Sequence, residues 1–477
     1  AVSPHRNERG RFDAHFEDSI RTGGRMARRP FLKVGSSLAA AGLGGLFTSA
    51  AEAAAVQKLA RDRSVIFLFM HGGPSQFETF DPKIGGPANA RSVTGEIATS
   101  IPGVFFGSTF EKLAARAHLL TIVRSFVTGD GNHDIKPVVG RATLGANIGS
   151  LYSRAAGVLR TDNAMPTNVM LFPQAVDADA GPAITQFGNF ESGGELGPSY
   201  GPLVPGGSGP FLDNLTLHLP QERLAHRRSL LASLDRGRRW LDTPSVRSML
   251  DGEGLAFDVL AQGVADAFTL DGEDAATLAA YDTASRFDVG RLIKKWNNHQ
   301  HYTDHNRSIG KLLLLARRLC ERGCGFVTVT TSFVWDMHSD VNNAPVDVGM
   351  DYVGAPFDDA VAALIDDIEA RGLRDKILLV CCGEMGRTPV INANGGRDHW
   401  GGLAPLLLYG GGLEGGRVIG QSTRDGAQPA SDPVGIPNLV STIMERLLDL
   451  SVVRLQTDLP TSLQALFARG EPIRGLG

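Results

Sequence analysis

KILLVCCGEMGRTPVINANGGRDHWGG, residues 376–402, opens with an apolar run from Ile377 to Cys382 and then turns polar at once. A run of that length and branched character is the pattern of a strand buried on both faces, as in parallel sheets. Gly383 breaks it. The loop beyond is dense in groups that bind cations or anions: Glu384 and Arg387, then, after an Asn-Gly-Gly turn, Arg397, Asp398 and His399. In open α/β sheets ligands bind in the crevice past the carboxyl ends of the strands, which makes this loop the first candidate for a site.

Outward from that stretch the pattern repeats. Residues 64–70 form a second continuous apolar run, ending at His71-Gly72-Gly73-Pro74-Ser75 and continuing through Glu78 and Asp81. Residues 118–123 read as a strand whose loop carries Ser125, Thr128, His133 and Asp134, with a helix expected from about residue 135. Residues 168–172 read as a short strand, and residues 326–331 as one that leads into Trp335-Asp336-Met337-His338. Residues 404–409 and 417–419 complete the strands; helices are expected over 111–117, 307–320, 354–371, 437–448 and 461–467. Strands that end in polar, Gly-rich loops and alternate with helical pattern argue for a parallel sheet. Four of those loops pair carboxylate with imidazole: His71 with Glu78, His133 with Asp134, Asp336 with His338, and Glu384 with Asp398 and His399.

At 477 residues the chain is long enough for one large α/β domain with insertions, and a net charge of −4 leaves no electrostatic footprint for nucleic acid. Residues 1–54 read as a leader: Arg28-Arg29 with Phe31-Leu32-Lys33 is a twin-arginine export pattern, followed by a short Gly/Ala-rich apolar segment and an Ala51-Glu52-Ala53 cleavage site. Export to the periplasm or beyond is expected, with no stable membrane insertion afterwards, since no other stretch approaches ~18 uninterrupted apolar residues. Residues 55–477 then form one domain with an irregular and helical insertion over about 181–303, its helical part a cap. His301 and His305 would share a helical face, with hydrogen bonding favoured over ligation. Four cysteines, Cys320, Cys324, Cys381 and Cys382, allow three pairings that the sequence does not choose between, and also read as small buried side chains.

Asp336-x-His338 is the sharpest pair, because alternate residues of an extended segment point the same way and can approach one ion. A carboxylate with imidazoles suits a divalent metal, zinc first, then manganese or iron, with calcium behind them. Asp398 and His399 could each add a ligand. Arg387 and Arg397 could neutralise an anionic ester by bidentate contact, or serve as structural partners of Glu384 and Asp398. A metal-activated water or hydroxyl would be the nucleophile.

The chain from about Val65 onward resembles the exported family called domain of unknown function 1501 (DUF1501), a sulfatase-like branch of the alkaline phosphatase superfamily. The resemblance is carried by Gly72-Gly73-Pro74-Ser75 with Thr79-Phe80-Asp81-Pro82-Lys83, by the 315–319 helix segment LARRL ahead of Gly325-Phe326-Val327-Thr328, and by Trp335-Asp336-x-His338. It extends through Gly383-Glu384-x-Gly386-Arg387-Thr388-Pro389 and the 391–400 block INANGGRDHW. It implies a three-layer α/β/α sandwich, alkaline phosphatase-like, with the site at the strand carboxyl ends. By the same resemblance Asp336, His338 and His399 are metal ligands. His71 stands where the wider superfamily has a metal-binding Asp, with Glu78 and Asp81 as imperfect substitutes, and Gly383-Glu384 stands where it has an Asp-His pair. Ser125, Thr128 and His133 are nucleophile candidates by position.

The sequence therefore predicts an exported metal-dependent hydrolase of phosphate or sulfate esters acting on a small anionic ester. Metal ligands would come from His71, Asp336, His338, Asp398 and His399, and catalytic groups from His133, Glu384, Arg387 and Arg397. The alternatives are an exported binding or scaffold protein that keeps the fold without turnover and, behind it, a phosphomutase-like transferase. Oligomeric state is not encoded in any feature read here.

Overall fold

The computed structural model describes residues 59–206 and 264–476, apart from 286, 287, 289 and 291. The expected leader, its export signal and most of the expected helical cap lie outside those residues.

Seven strands form the main sheet: β1 Ser64–Phe69, β2 Leu120–Val123, β3 Asn168–Leu171, β4 Phe326–Thr330, β5 Ile377–Cys382, β6 Leu406–Gly410 and β7 Arg417–Ile419. Their spatial order is β7-β2-β6-β5-β1-β4-β3. All neighbours run parallel except at β6, which is antiparallel to both β5 and β2. The sheet is mixed but mostly parallel.

The two faces follow from strand alternation. Ile66, Leu68, Val327, Val329, Leu379 and Cys381 share one core with helices α2 His299–Glu321 and α3 Val346–Ala370. Val65, Phe67, Phe69, Val380 and Cys382 share the other with α1 Ile148–Ala156, α4 Ile436–Leu447 and α5 Thr461–Arg469. Cys381 and Cys382 thus point to opposite faces, and all four cysteines are free and buried. The result is a three-layer α/β/α sandwich, as expected.

Register sets where the loops emerge. Phe69 lies opposite both Thr330 of β4 and Cys382 of β5, so these three central strands end at one level. β6 starts there too, Leu406 opposite Cys382, so residues 383–405 leave the sheet and re-enter it at the same edge. The two-residue pair of Gly386–Arg387 with His399–Trp400 folds that excursion back on itself. His71, Asp336, Glu384 and His399 are held at one rim for this reason.

Some expected elements move. Residues 136–138 form a turn instead of the start of a helix, followed by Val139 bridged to Asn147 and an extended Gly140; the helix begins at Ile148, where the Asn147 side chain accepts from Gly149 N. α2 starts eight residues earlier than expected, at His299, and α3 eight earlier, at Val346. Among the described residues no helix is long and apolar enough to cross a membrane.

Candidate metal centre

Asp336 is ringed by donors. Its side chain is 5% exposed, and its Oδ1 lies 2.7 Å from Arg387 Nη2, 3.2 Å from His399 Nε2 and 3.4 Å from His133 Nε2. Its Oδ2 accepts from Asn343 Nδ2 at 3.0 Å and lies 3.0 Å from His338 Nε2. Burial opposes ionisation of this carboxyl, but the Arg387 charge and the contacts with His133, His338 and His399 outweigh it and hold the group far below the usual carboxylate range.

Three loops deliver the imidazoles, His133 from beyond β2, His338 from beyond β4 and His399 from beyond β5. One ligand atom from each of His133, Asp336 and His399 lies within 4.8 Å of the other two, so the three could hold one metal ion. The His133 and His399 rings stand 4.3 Å apart at 77°. On its far side His133 Nδ1 is 3.0 Å from Glu384 Oε1. Burial lowers the His133 pKa, the neighbouring Asp336 and Glu384 carboxylates raise it, and the net shift is upward. His338, partly exposed, is raised by its hydrogen bond to Asp336 against a smaller opposing effect of burial.

Backbone geometry locks this arrangement. Gly72 has φ +114°, and a Cβ there would lie 2.7 Å from Asp336 N and 2.8 Å from Trp335 N. Only glycine lets the loop after β1 lie this close to the backbone that carries Asp336. His71 O accepts from Val334 N at 3.2 Å and Trp335 N at 3.1 Å across the same junction.

Residues 62–457 match the family described as "Protein of unknown function (DUF1501)". The chain belongs to that family. No curated protein matches this DUF1501 chain in sequence. Solved structures similar to it include the PsFucS1 sulfatase from Pseudoalteromonas sp., at 13% identity and TM-score 0.36, covering 93% of this chain and 77% of that one. Another is the phosphonate monoester hydrolase SpPMH from Silicibacter pomeroyi, at 11% identity and TM-score 0.32, covering 86% and 76%. A third is the lipooligosaccharide phosphoethanolamine transferase EptA from Neisseria meningitidis, at 10% identity and TM-score 0.32, covering 86% and 58%.

The remaining candidates in this DUF1501 chain fall at different distances from the centre. Glu384 is fully buried; its Oε1 accepts from Gly72 N at 2.9 Å, and its Oε2 has no hydrogen-bond partner among the described residues. His71 is buried among Phe69, Phe187, Phe190 and Phe333, with Nε2 likewise unpartnered, and burial pushes its pKa down to about 4. It is outside the group of three. Asp398 is exposed, accepts from Asn392 Nδ2 at 2.9 Å and is also outside that group.

The arginines face inward. Arg387 donates to Gly73 O at 2.7 Å, Arg397 O at 3.1 Å and Gly72 O as well as to Asp336. Arg397 forms a fully buried pair with Glu78, Nη2 to Oε1 3.0 Å, and stacks on the Phe77 ring at 4.3 Å. Asp81 pairs with Lys83 at 3.2 Å, Asp134 with Lys136 at 2.7 Å, and the hydroxyls of Ser125 and Thr128 are buried without partners among the described residues. His301 Nδ1 is 3.3 Å from Phe333 O, and His305 Nε2 donates to Val353 O at 3.1 Å.

Sequence reasoning did not find Asn343, a second grip on Asp336, or Phe187 and Phe333, whose stacked rings flank His133 at 5.0 and 4.8 Å. Nothing marks Asn343 among its polar neighbours. Phe187 left a signal, since it and Phe190 are aromatics in a Gly- and Pro-rich excursion.

Proposed function

We propose that this DUF1501 chain is an exported, metal-dependent hydrolase of phosphate or sulfate esters that holds a divalent ion, zinc first among candidates, between His133, Asp336 and His399. The observation that carries the reading is His133 Nε2. It is buried, has no hydrogen-bond partner among the described residues, and faces Asp336 Oδ1 at 3.4 Å, while His399 Nε2 faces the same oxygen at 3.2 Å. Ligand atoms around a tetrahedral ion with bonds of about 2.0–2.1 Å stand roughly 3.3 Å apart, so these separations fit. Two imidazoles and a carboxylate are also a ligand set of catalytic zinc, which keeps a position open for substrate or water.

Such an ion supplies Lewis acidity toward an anionic ester and acidifies water. The chain's own residues do the rest. Arg387 holds Asp336 in place from the buried side. Phe187 and Phe333 shield the His133 face from water. His338, on the more exposed side with its Nε2 on Asp336 Oδ2, is placed to carry a proton to or from substrate. The twin-arginine pattern of residues 27–33 supports export to the periplasm or medium.

A second reading, a binding protein that keeps the fold without turnover, is favoured by the burial of Arg387 and Arg397, whose guanidinium groups are engaged by Asp336, Glu78 and backbone carbonyls and so are not free to grip a substrate anion. Metal analysis of protein purified without chelator, followed by assay on aryl phosphate and aryl sulfate esters, separates the two. The hydrolase reading expects near-stoichiometric metal, with turnover that disappears together with the metal in Asp336→Ala and His399→Ala. Stoichiometric metal with no turnover on either ester supports the binding protein, and unchanged metal in both variants defeats the ligand assignment.

A further inference from the structure

We infer that Glu384 is a positioning residue, neither ligand nor general base, whose single oxygen Oε1 aligns both His133 and the Asp336 segment on the ion; this rests on the metal-binding reading above. Oε1 receives two donors from two different loops. One is His133 Nδ1 at 3.0 Å and the other is Gly72 N at 2.9 Å. The first contact places the ring proton on Nδ1 and leaves the Nε2 lone pair directed at Asp336 Oδ1, as a ligating imidazole requires. The second pins the turn at Gly72, and Gly72 lies against the backbone nitrogens of Trp335 and Asp336 with no room for a Cβ. Displacing Oε1 therefore disturbs two ligands at once.

Placement supports this role over the other two. Glu384 leaves the sheet directly from β5, whose last residue Cys382 is paired with Phe69, so its backbone is among the best fixed at the rim. It is fully buried, and it does not join the group of side chains whose ligand atoms converge. A buried carboxylate behind a ligating histidine raises that ligand's basicity and fixes its tautomer, and losing such a partner typically weakens metal binding by about 10–100-fold.

The test uses the isosteric Glu384→Gln, which keeps an acceptor oxygen, beside Glu384→Ala. Zinc and cobalt(II) affinities are measured by chelator competition, and histidine ¹⁵N spectra are recorded on metal-free protein. Glu384→Ala should bind about 10–100-fold more weakly, with an altered cobalt(II) absorption spectrum, and Glu384→Gln should recover most of the affinity. In metal-free parent protein the neutral His133 ring should carry its proton on Nδ1, and Glu384→Ala should lose that preference. Equal affinity and an unchanged cobalt spectrum in a folded Glu384→Ala would overturn the proposal. If that variant does not fold, a neutral His133 that carries its proton on Nε2 in the metal-free parent would overturn it instead. Failure of the parent to bind either ion, with the Nδ1 preference intact, would refute the metal reading while leaving Glu384 as the residue that orients His133.

Discussion

His133 bridges two carboxylates, with Nδ1 3.0 Å from Glu384 Oε1 and Nε2 3.4 Å from Asp336 Oδ1. Nδ1 is hydrogen-bonded, whereas Nε2 is covered and is not. A neutral ring with its proton on Nδ1 sets a lone pair against a carboxylate oxygen, which is unfavourable unless a proton or a metal ion lies between them. The rest of the rim is built to keep that opposition in place.

Arg397 is part of that building. Removing its charge leaves Glu78 buried and uncompensated, so Arg397→Met should lose about 3–5 kcal/mol of stability, with partial recovery in Arg397→Met/Glu78→Gln. Urea denaturation checks this. Unchanged stability with a raised KM would return Arg397 to the role of substrate anion holder.

Gly72→Ala should cost more than a positive φ alone, because the new Cβ would press on Asp336 N and Trp335 N. Gly129, at φ +97° with open space around its Cβ position, is the control. Gly129→Ala should lose about 1 kcal/mol and keep its metal affinity, whereas Gly72→Ala should lose at least twice that, with weaker metal binding. Denaturation and metal titration on both variants decide the matter.

His305 sets a pH dependence away from the centre. Burial pushes its pKa down to about 4, and its Nε2 donates to Val353 O in the neutral form. The unfolded chain takes up this proton near its ordinary value of about 6.5, the folded chain only near 4. Stability from this group is therefore complete above about pH 6.5 and declines as pH falls toward 4, by about 3 kcal/mol in all. His305→Gln, which keeps an N–H for Val353 O, should flatten unfolding free energy over that window by this share; His71, pushed to a similar value, retains its own.

Much of this was legible in the sequence because buried parallel strands are written as unbroken apolar runs. The runs at Ser64–Phe69 and Ile377–Cys382 gave two adjacent central strands and the rim on which Asp336, His338 and His399 gather. The direction of β6 was not legible, since an apolar run carries no sign of orientation. The early start of α2 was hidden by polarity: Asp304, His305 and Asn306 are buried, and their side chains make hydrogen bonds that a periodicity argument does not see. The same limit applies at the site. The residue types were apparent, but whether Arg397 faces a ligand or Glu78, and whether His133 joins Asp336, depends on how loops far apart in the chain pack at the rim.

The central claim is an ion between His133, Asp336 and His399, and anomalous X-ray scattering from zinc-loaded crystals tests it most directly. The account predicts one strong peak within about 2.0–2.2 Å of His133 Nε2, an Asp336 carboxylate oxygen and His399 Nε2. Zinc-loaded crystals with no peak there, or with the ion on other side chains, would contradict it.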